Sequence, residues 1–140
     1  MLAGVYSNLA VAALADNAVR SICGVTVNSV FVNGGNTNVT DASFFNGTIS
    51  GEGSLEFSGL ASGSAVMEGE NMAVTYSAAA DDQVIFGGTY GDLVLSGGDK
   101  LFAAGTEENP VITTINGDIN STVASTINTG SEVYIGGEGN

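Results

Sequence analysis

From Val25 onwards apolar and polar positions alternate with a period of two, the spacing that sends successive side chains to opposite faces of a strand. Val25-Thr26-Val27, Val30-Phe31-Val32, Leu55-Glu56-Phe57, Val74-Thr75-Tyr76, Val84-Ile85-Phe86, Leu93-Val94-Leu95, Val111-Ile112 and Val133-Tyr134-Ile135 carry this alternation. Residues that tolerate positive φ interrupt it: Asn33-Gly34-Gly35, Asn46-Gly47, Gly97-Gly98-Asp99 and Asn116-Gly117-Asp118 read as turns. One stretch departs from the pattern. Between Asn8 and Ile22, Ala and Leu are frequent and Gly is absent, which fits a helix. Val5, Leu9 and Val11 fit a strand equally well, and strand is the reading adopted.

Many short strands at regular spacing imply a sandwich, a barrel or a solenoid, and repetition decides among them. Gly4 to Val11 recurs as Gly88 to Leu95, an offset of 84; Val32-Asn33-Gly34 recurs as Ile115-Asn116-Gly117, an offset of 83. Leu55 to Gly59 lines up with Val133 to Gly137 at an offset of 78. The unit is therefore about 80 residues, with partial repeats at about 1–59 and 84–140 joined by 60–83, all within one domain spanning 1–140. The expected fold is all-β: a parallel β-solenoid, or β-helix, of short strands, with a β-sandwich or pilin-like fold as the alternative. A coil of roughly 20 residues puts about four coils in each repeat and about seven in the chain. Asn33 and Asn116 are candidates for an inward-facing amide ladder.

The stretch Ala73 to Gly105 resembles a repeat of very large bacterial surface and secreted adhesin-like proteins, whose pattern runs V-T-Y, Q-x-V, G-T-Y-x-N-L-x-L-S-G and K-x-L. The matching positions are Val74, Thr75, Tyr76, Gln83, Val84, Gly88, Thr89, Tyr90, Leu93, Leu95, Ser96, Gly97, Lys100 and Leu101, with Asp92 in place of Asn. Nearer the N-terminus Gly4, Tyr6, Asn8 and Leu9 are kept, but Ala12-Ala13 stands where the pattern has Ser-Gly. The resemblance implies stacked parallel coils and a structural or adhesive role at the cell surface.

Composition sharpens this picture mainly by exclusion. Hydrophobic residues make up 44% of 140 and charged residues only 12%, the reverse of a disordered chain. Against fifteen acids stand only Arg20 and Lys100, giving a net charge of −13 that repels phosphate backbones and anionic membranes. No nucleic-acid partner and no membrane insertion are expected. The apolar opening from Met1 to Ala15 has no basic region of the kind an export signal carries, and is too short to span a bilayer. Any leader is expected to lie upstream or to have been removed.

With no His and one Cys, Ser-His-Asp, Cys-His and soft-metal sites are excluded, and Cys23 is expected to be a small buried residue. Carboxylates remain. Asp81-Asp82, Glu107-Glu108 and Glu68-Gly69-Glu70 are the only clusters, all read as solvated turns rather than an acid–base pair. Gly87 to Leu93 is near a calcium-binding nonapeptide, but its glycines are misplaced by one; calcium is the only cofactor considered, through interface sites, and none is assigned. Asn36 to Thr40 and Ser121 to Thr126 read as solvent-facing threonine-rich strands.

The expected function is thus an extracellular structural protein, a subunit or segment of a self-assembling surface filament or adhesin, with no catalytic, cofactor or metal residues. Its expected partner is itself, joined head to tail, and surface glycans are a further possible partner class. A carbohydrate-binding or carbohydrate-active module, with Tyr6, Tyr90 and Tyr134 as the repeated aromatics, is the alternative, as is a strand-donating pilin. Partial repeats at each end suit a head-to-tail contact, so charge reversal at Glu132 is expected to weaken assembly more than at Asp41.

Overall fold

The computed structural model describes residues 2–12, 19–40 and 43–137, and no helix occurs among them. The strands are β1 (Leu2–Ala12), β2 (Val19–Val39), β3 (Ser43–Phe45), β4 (Thr48–Phe57), β5 (Ala61–Ser62), β6 (Val66–Tyr76) and β7 (Gln83–Ile85). They continue as β8 (Gly87–Leu95), β9 (Lys100–Phe102), β10 (Val111–Ile115), β11 (Ile119–Ser121), β12 (Ser125–Thr126) and β13 (Ser131–Ile135). The stretch that fitted a helix is strand over 8–12 and 19–22, and residues 13–18 lie outside the described residues.

Every strand pair is parallel. Parallel neighbours need a full crossover between them. Here the crossover is one circuit of the chain, and hydrogen bonds between neighbouring circuits join residues 17 to 27 apart. The protein is a β-solenoid of about 6 turns. That is one fewer than a uniform 20-residue coil gives, because the later circuits are longer: the rung from Tyr90 to Ile115 takes in the exposed loop 103–110.

Stacked rungs form columns. One inward column runs Leu9, Val30, Ile49, Met67, Gly88, Thr113, Val133. A second runs Val39, Phe57, Tyr76, Leu95. These columns show what the 80-residue repeat is. Val32 and Ile115 lie four rungs apart, Val32 over Gly51 and Ile115 over Tyr90 and Gly69, with a register shift between Ser50 and Glu52 on the path. Leu9, by contrast, stacks toward Gly88 and not Leu93, and Leu55 toward Leu93 while Val133 stands over Thr113. The sequence matches record the shared alternation and four circuits of separation; the column is set by the length of each circuit.

Inward positions fill the coil with Val32, Phe57, Val74, Tyr76, Ile85, Tyr90, Leu93 and Ile115, all fully buried. Burial of each such side chain contributes roughly 1.5–3 kcal/mol. Phe57 and Tyr76 stack with centroids 4.8 Å apart and planes 15° from parallel, the same spacing as two rungs. Phe45 and Phe86 meet this pair edge-on.

The chain bends at Phe86, between β7 and β8, where its backbone leaves the ladder. Two phenols replace the missing partners. Phe86 N–H donates to the Tyr76 hydroxyl at 3.2 Å, and the Tyr90 hydroxyl donates to the Phe86 carbonyl at 2.6 Å. With its one hydrogen so used, Tyr90 accepts from Tyr76 at 2.8 Å. The ring of bonds is closed, and every polar group at this buried corner is paired.

Candidate functional site

The carboxylate clusters occupy three different segments of the coil. Asp81 and Asp82 are exposed in the turn between β6 and β7, where Asp82 has φ 61°, and Glu107 and Glu108 are exposed in the loop before β10. Glu68 and Glu70 correct the sequence reading: they stand on strand β6, pointing outward on either side of buried Gly69. Among the described residues no group of three or more His, Cys, Asp or Glu side chains is placed to hold a metal ion.

Other expected positions also shift. Asn33 and Asn116 are exposed, so they form no inward ladder; amide and hydroxyl ladders run along the outside instead. Ser58 donates to Asn38 Oδ1 at 2.8 Å, Ser64 to Asn46 Oδ1 at 2.6 Å, and Ser77 to Glu56. Thr37, in a stretch read as solvent-facing, points inward and is buried. Cys23 is half-buried rather than enclosed. Tyr90 is buried, Tyr6 half-buried and Tyr134 exposed, and Tyr6 and Tyr90 stand in different columns, over Val27 and Gly69.

The most constructed polar group is one whose structural role the alternation did not reveal. Gln83 and Lys100 are neighbours on adjacent rungs of β7 and β9, and both point inward at 1% exposure. Gln83 Nε2 donates to the carbonyls of Phe57 at 2.8 Å and Gly59 at 3.2 Å, while its Oε1 accepts from Ala78 N–H at 3.1 Å. Lys100 Nζ donates to the carbonyls of Ala78 at 3.1 Å and Gly98 at 2.6 Å. Burial pulls the Lys100 ammonium below the usual lysine range, and the nearby Asp81 and Asp99 carboxylates oppose that pull. These residues are the Q-x-V and K-x-L positions of the motif, so the signal was present in the sequence. Their work is to satisfy the carbonyls of a turn that leaves the ladder.

The two contribute unequally, which gives a testable ordering. Gln83→Leu strips Ala78 N–H of its acceptor inside the coil and is expected to cost about 1–3 kcal/mol. Lys100→Met leaves the Ala78 carbonyl with the Gly98 N–H at 2.9 Å and removes a desolvated charge, so its expected cost near neutral pH is under about 1 kcal/mol. Urea unfolding of both variants measures the order; a larger loss for Lys100→Met would refute it.

The remaining candidate surfaces are the two ends of the ladder. Among the described residues β1 pairs only with β2, and β13 only with β10. Each end therefore presents a row of backbone donors and acceptors. Val5 is 83% exposed at one end, and Tyr134 and Ile135 are 55% and 50% exposed at the other.

Comparison with known proteins supplies no relative: no family model, no curated protein and no solved structure matches the chain. Among the described residues no helix is long and apolar enough to cross a membrane.

Proposed function

We propose that this chain is an extracellular structural protein without catalytic activity, a subunit or segment of a self-assembling surface filament or adhesin. The observation that carries the reading is the parallel ladder itself, which runs from β1 to β13 and ends in open edges on both sides among the described residues. A solenoid with uncovered terminal rungs templates a further rung, and each added rung presents the same edge again. Such a contact does not close on itself, so it propagates.

The outer faces support the same reading. Their polar side chains bond to one another along the axis, as Ser58 does to Asn38 and Ser64 to Asn46, instead of converging on a cleft. One of the two basic residues, Lys100, lies inside the coil, which leaves little counter-charge for an acidic polysaccharide. Exposed aromatics that a glycan would meet, Phe31, Phe44 and Tyr134, lie on three different strands. Extracellular placement rests on the surface-repeat resemblance and on the Asn-, Ser- and Thr-rich exterior.

Electron microscopy and sedimentation of the purified chain test the proposal. Filaments of one coil's width are expected, together with no turnover of polysaccharide substrates. Turnover abolished by Asp81→Asn or Glu107→Gln would overturn the non-catalytic reading, and a stable monomer at tens of micromolar would overturn self-assembly.

A further inference from the structure

We propose that the open edge of β1 receives the β13 edge of a second copy of this chain, parallel and in register, with Val133 over Leu9 and Ile135 over Val11. This rests on the assembly reading above and specifies its joint. Three observations carry it.

The first is phase. In β1 Leu9 and Val11 belong to the inward columns, while Asn8 and Ala10 point outward and are exposed. In β13 Val133 and Ile135 stand over Thr113 and Ile115, both fully buried, while Glu132 and Tyr134 point outward. Setting Val133 over Leu9 therefore matches inward to inward and outward to outward at the four positions from Glu132 to Ile135. It also seats Tyr134 over the small Ala10 and Glu132 over the uncharged Asn8. A shift by one residue would send the apolar side chains of one strand to solvent.

The second is exposure. Ile135 is 50% exposed, whereas Ile115 and Tyr90 on its column are fully buried. It has the inward direction of a core residue, and no rung among the described residues covers it. The third is charge. Two copies at −13 each repel, so a joint must keep their acids apart. The described residues of β1, β2 and β3 contain no Asp or Glu; Glu52 on β4 is the first. At about 4.8 Å per rung, Glu132 of one copy would stand roughly three rungs from Glu52 of the next, beyond the screening length of about 8 Å at physiological salt. A joint of β13 on β13 would instead place two Glu132 rows side by side.

Cysteine pairs read the register directly. In a Cys23→Ser background, Asn8→Cys with Glu132→Cys puts two outward positions on directly opposed residues. Their Cα separation of about 4.8 Å lies within disulfide reach. Asn8→Cys with Tyr134→Cys is two residues out of register, at about 8 Å and outside that reach. Mild oxidation should convert the first variant into a covalent ladder on a non-reducing gel and leave the second largely unlinked. Two single-cysteine chains keep the test open if a double variant folds poorly by circular dichroism. Asn8→Cys mixed with Glu132→Cys should give a dimer, and neither chain should dimerise alone. Filaments without the ladder, a stronger ladder from the Tyr134 pair, or dimers of Asn8→Cys alone would overturn the joint while leaving assembly intact. A monomer in sedimentation would overturn assembly itself.

Discussion

Gly88→Ala is expected to destabilise the protein by about 3–5 kcal/mol, near the top of the range for single substitutions. Gly88 has φ +121°, outside even the small left-handed region open to alanine. A Cβ there would lie 2.1 Å from the Met67 carbonyl oxygen and 2.6 Å from the Met67 nitrogen. Met67 is its partner on the next rung, so relief requires prising β6 from β8 and breaking ladder bonds on both sides. Gly24 supplies the control. Its φ is +60° and nothing lies within 4 Å of the added carbon, so Gly24→Ala should cost only about 1–2 kcal/mol of left-handed strain. Urea midpoints of the two variants give the comparison. Equal shifts would mean that the rung at Gly88 is not packed as described.

Above about pH 10 the protein is expected to lose stability steeply and to unfold cooperatively, with Tyr76 and Tyr90 as the cause. Burial is the main force raising both phenols: Tyr76 goes well above the ordinary tyrosine value, its bonds to Tyr90 and Phe86 opposing the rise, and Tyr90 also goes well above it, with Tyr76 adding to the rise. Both folded values exceed the unfolded one, so the folded state keeps protons that the unfolded chain gives up above about pH 10. Their contribution is complete below that pH and is lost as pH rises. Lys100, lowered on folding, acts in the opposite sense just below the ordinary lysine value, so it delays the loss and does not reverse it. Phenolate absorbance from Tyr76 and Tyr90 should appear only with unfolding.

Tyr90→Phe separates packing from titration. At neutral pH it should cost about 1–3 kcal/mol, because the Phe86 carbonyl loses its donor and Tyr76 its acceptor. It should nevertheless lose less stability between neutral pH and pH 11 than the parent chain. Titration of Tyr76 and Tyr90 before any change in circular dichroism would overturn this account.

The sequence by itself determined the strands and the side each residue faces. Val25 and Val27 are buried around exposed Thr26, and Val30 and Val32 around exposed Phe31, as period two requires within each run, the phase slipping at Asn28-Ser29; the pleat is a local property of the backbone. The same local alternation, with glycine and asparagine turns, made an all-β solenoid legible. It also placed Val5, Leu9 and Val11 in a strand against the helix-forming alanines around them.

Tertiary structure decided which residues stack. A column depends on the length of each circuit, and circuits joining residues from 17 to 27 apart cannot be aligned by counting. For that reason Tyr6 and Tyr90, matched in sequence, stand in different columns, and seven expected coils became about 6. Tertiary structure also decided where polarity goes at the bends. Lys100 and Gln83 point inward at the bends, where Gln83 pairs the Ala78 N–H and the Gly59 carbonyl and Lys100 the Gly98 carbonyl, while the Phe57 and Ala78 carbonyls also accept the Ser77 and Gly98 N–H groups. Glu68 and Glu70, grouped with the turn acids by composition, sit on a strand because buried Gly69 between them keeps the alternation of β6. Alternation is written residue by residue, whereas neighbours across the coil exist only once the circuit has closed.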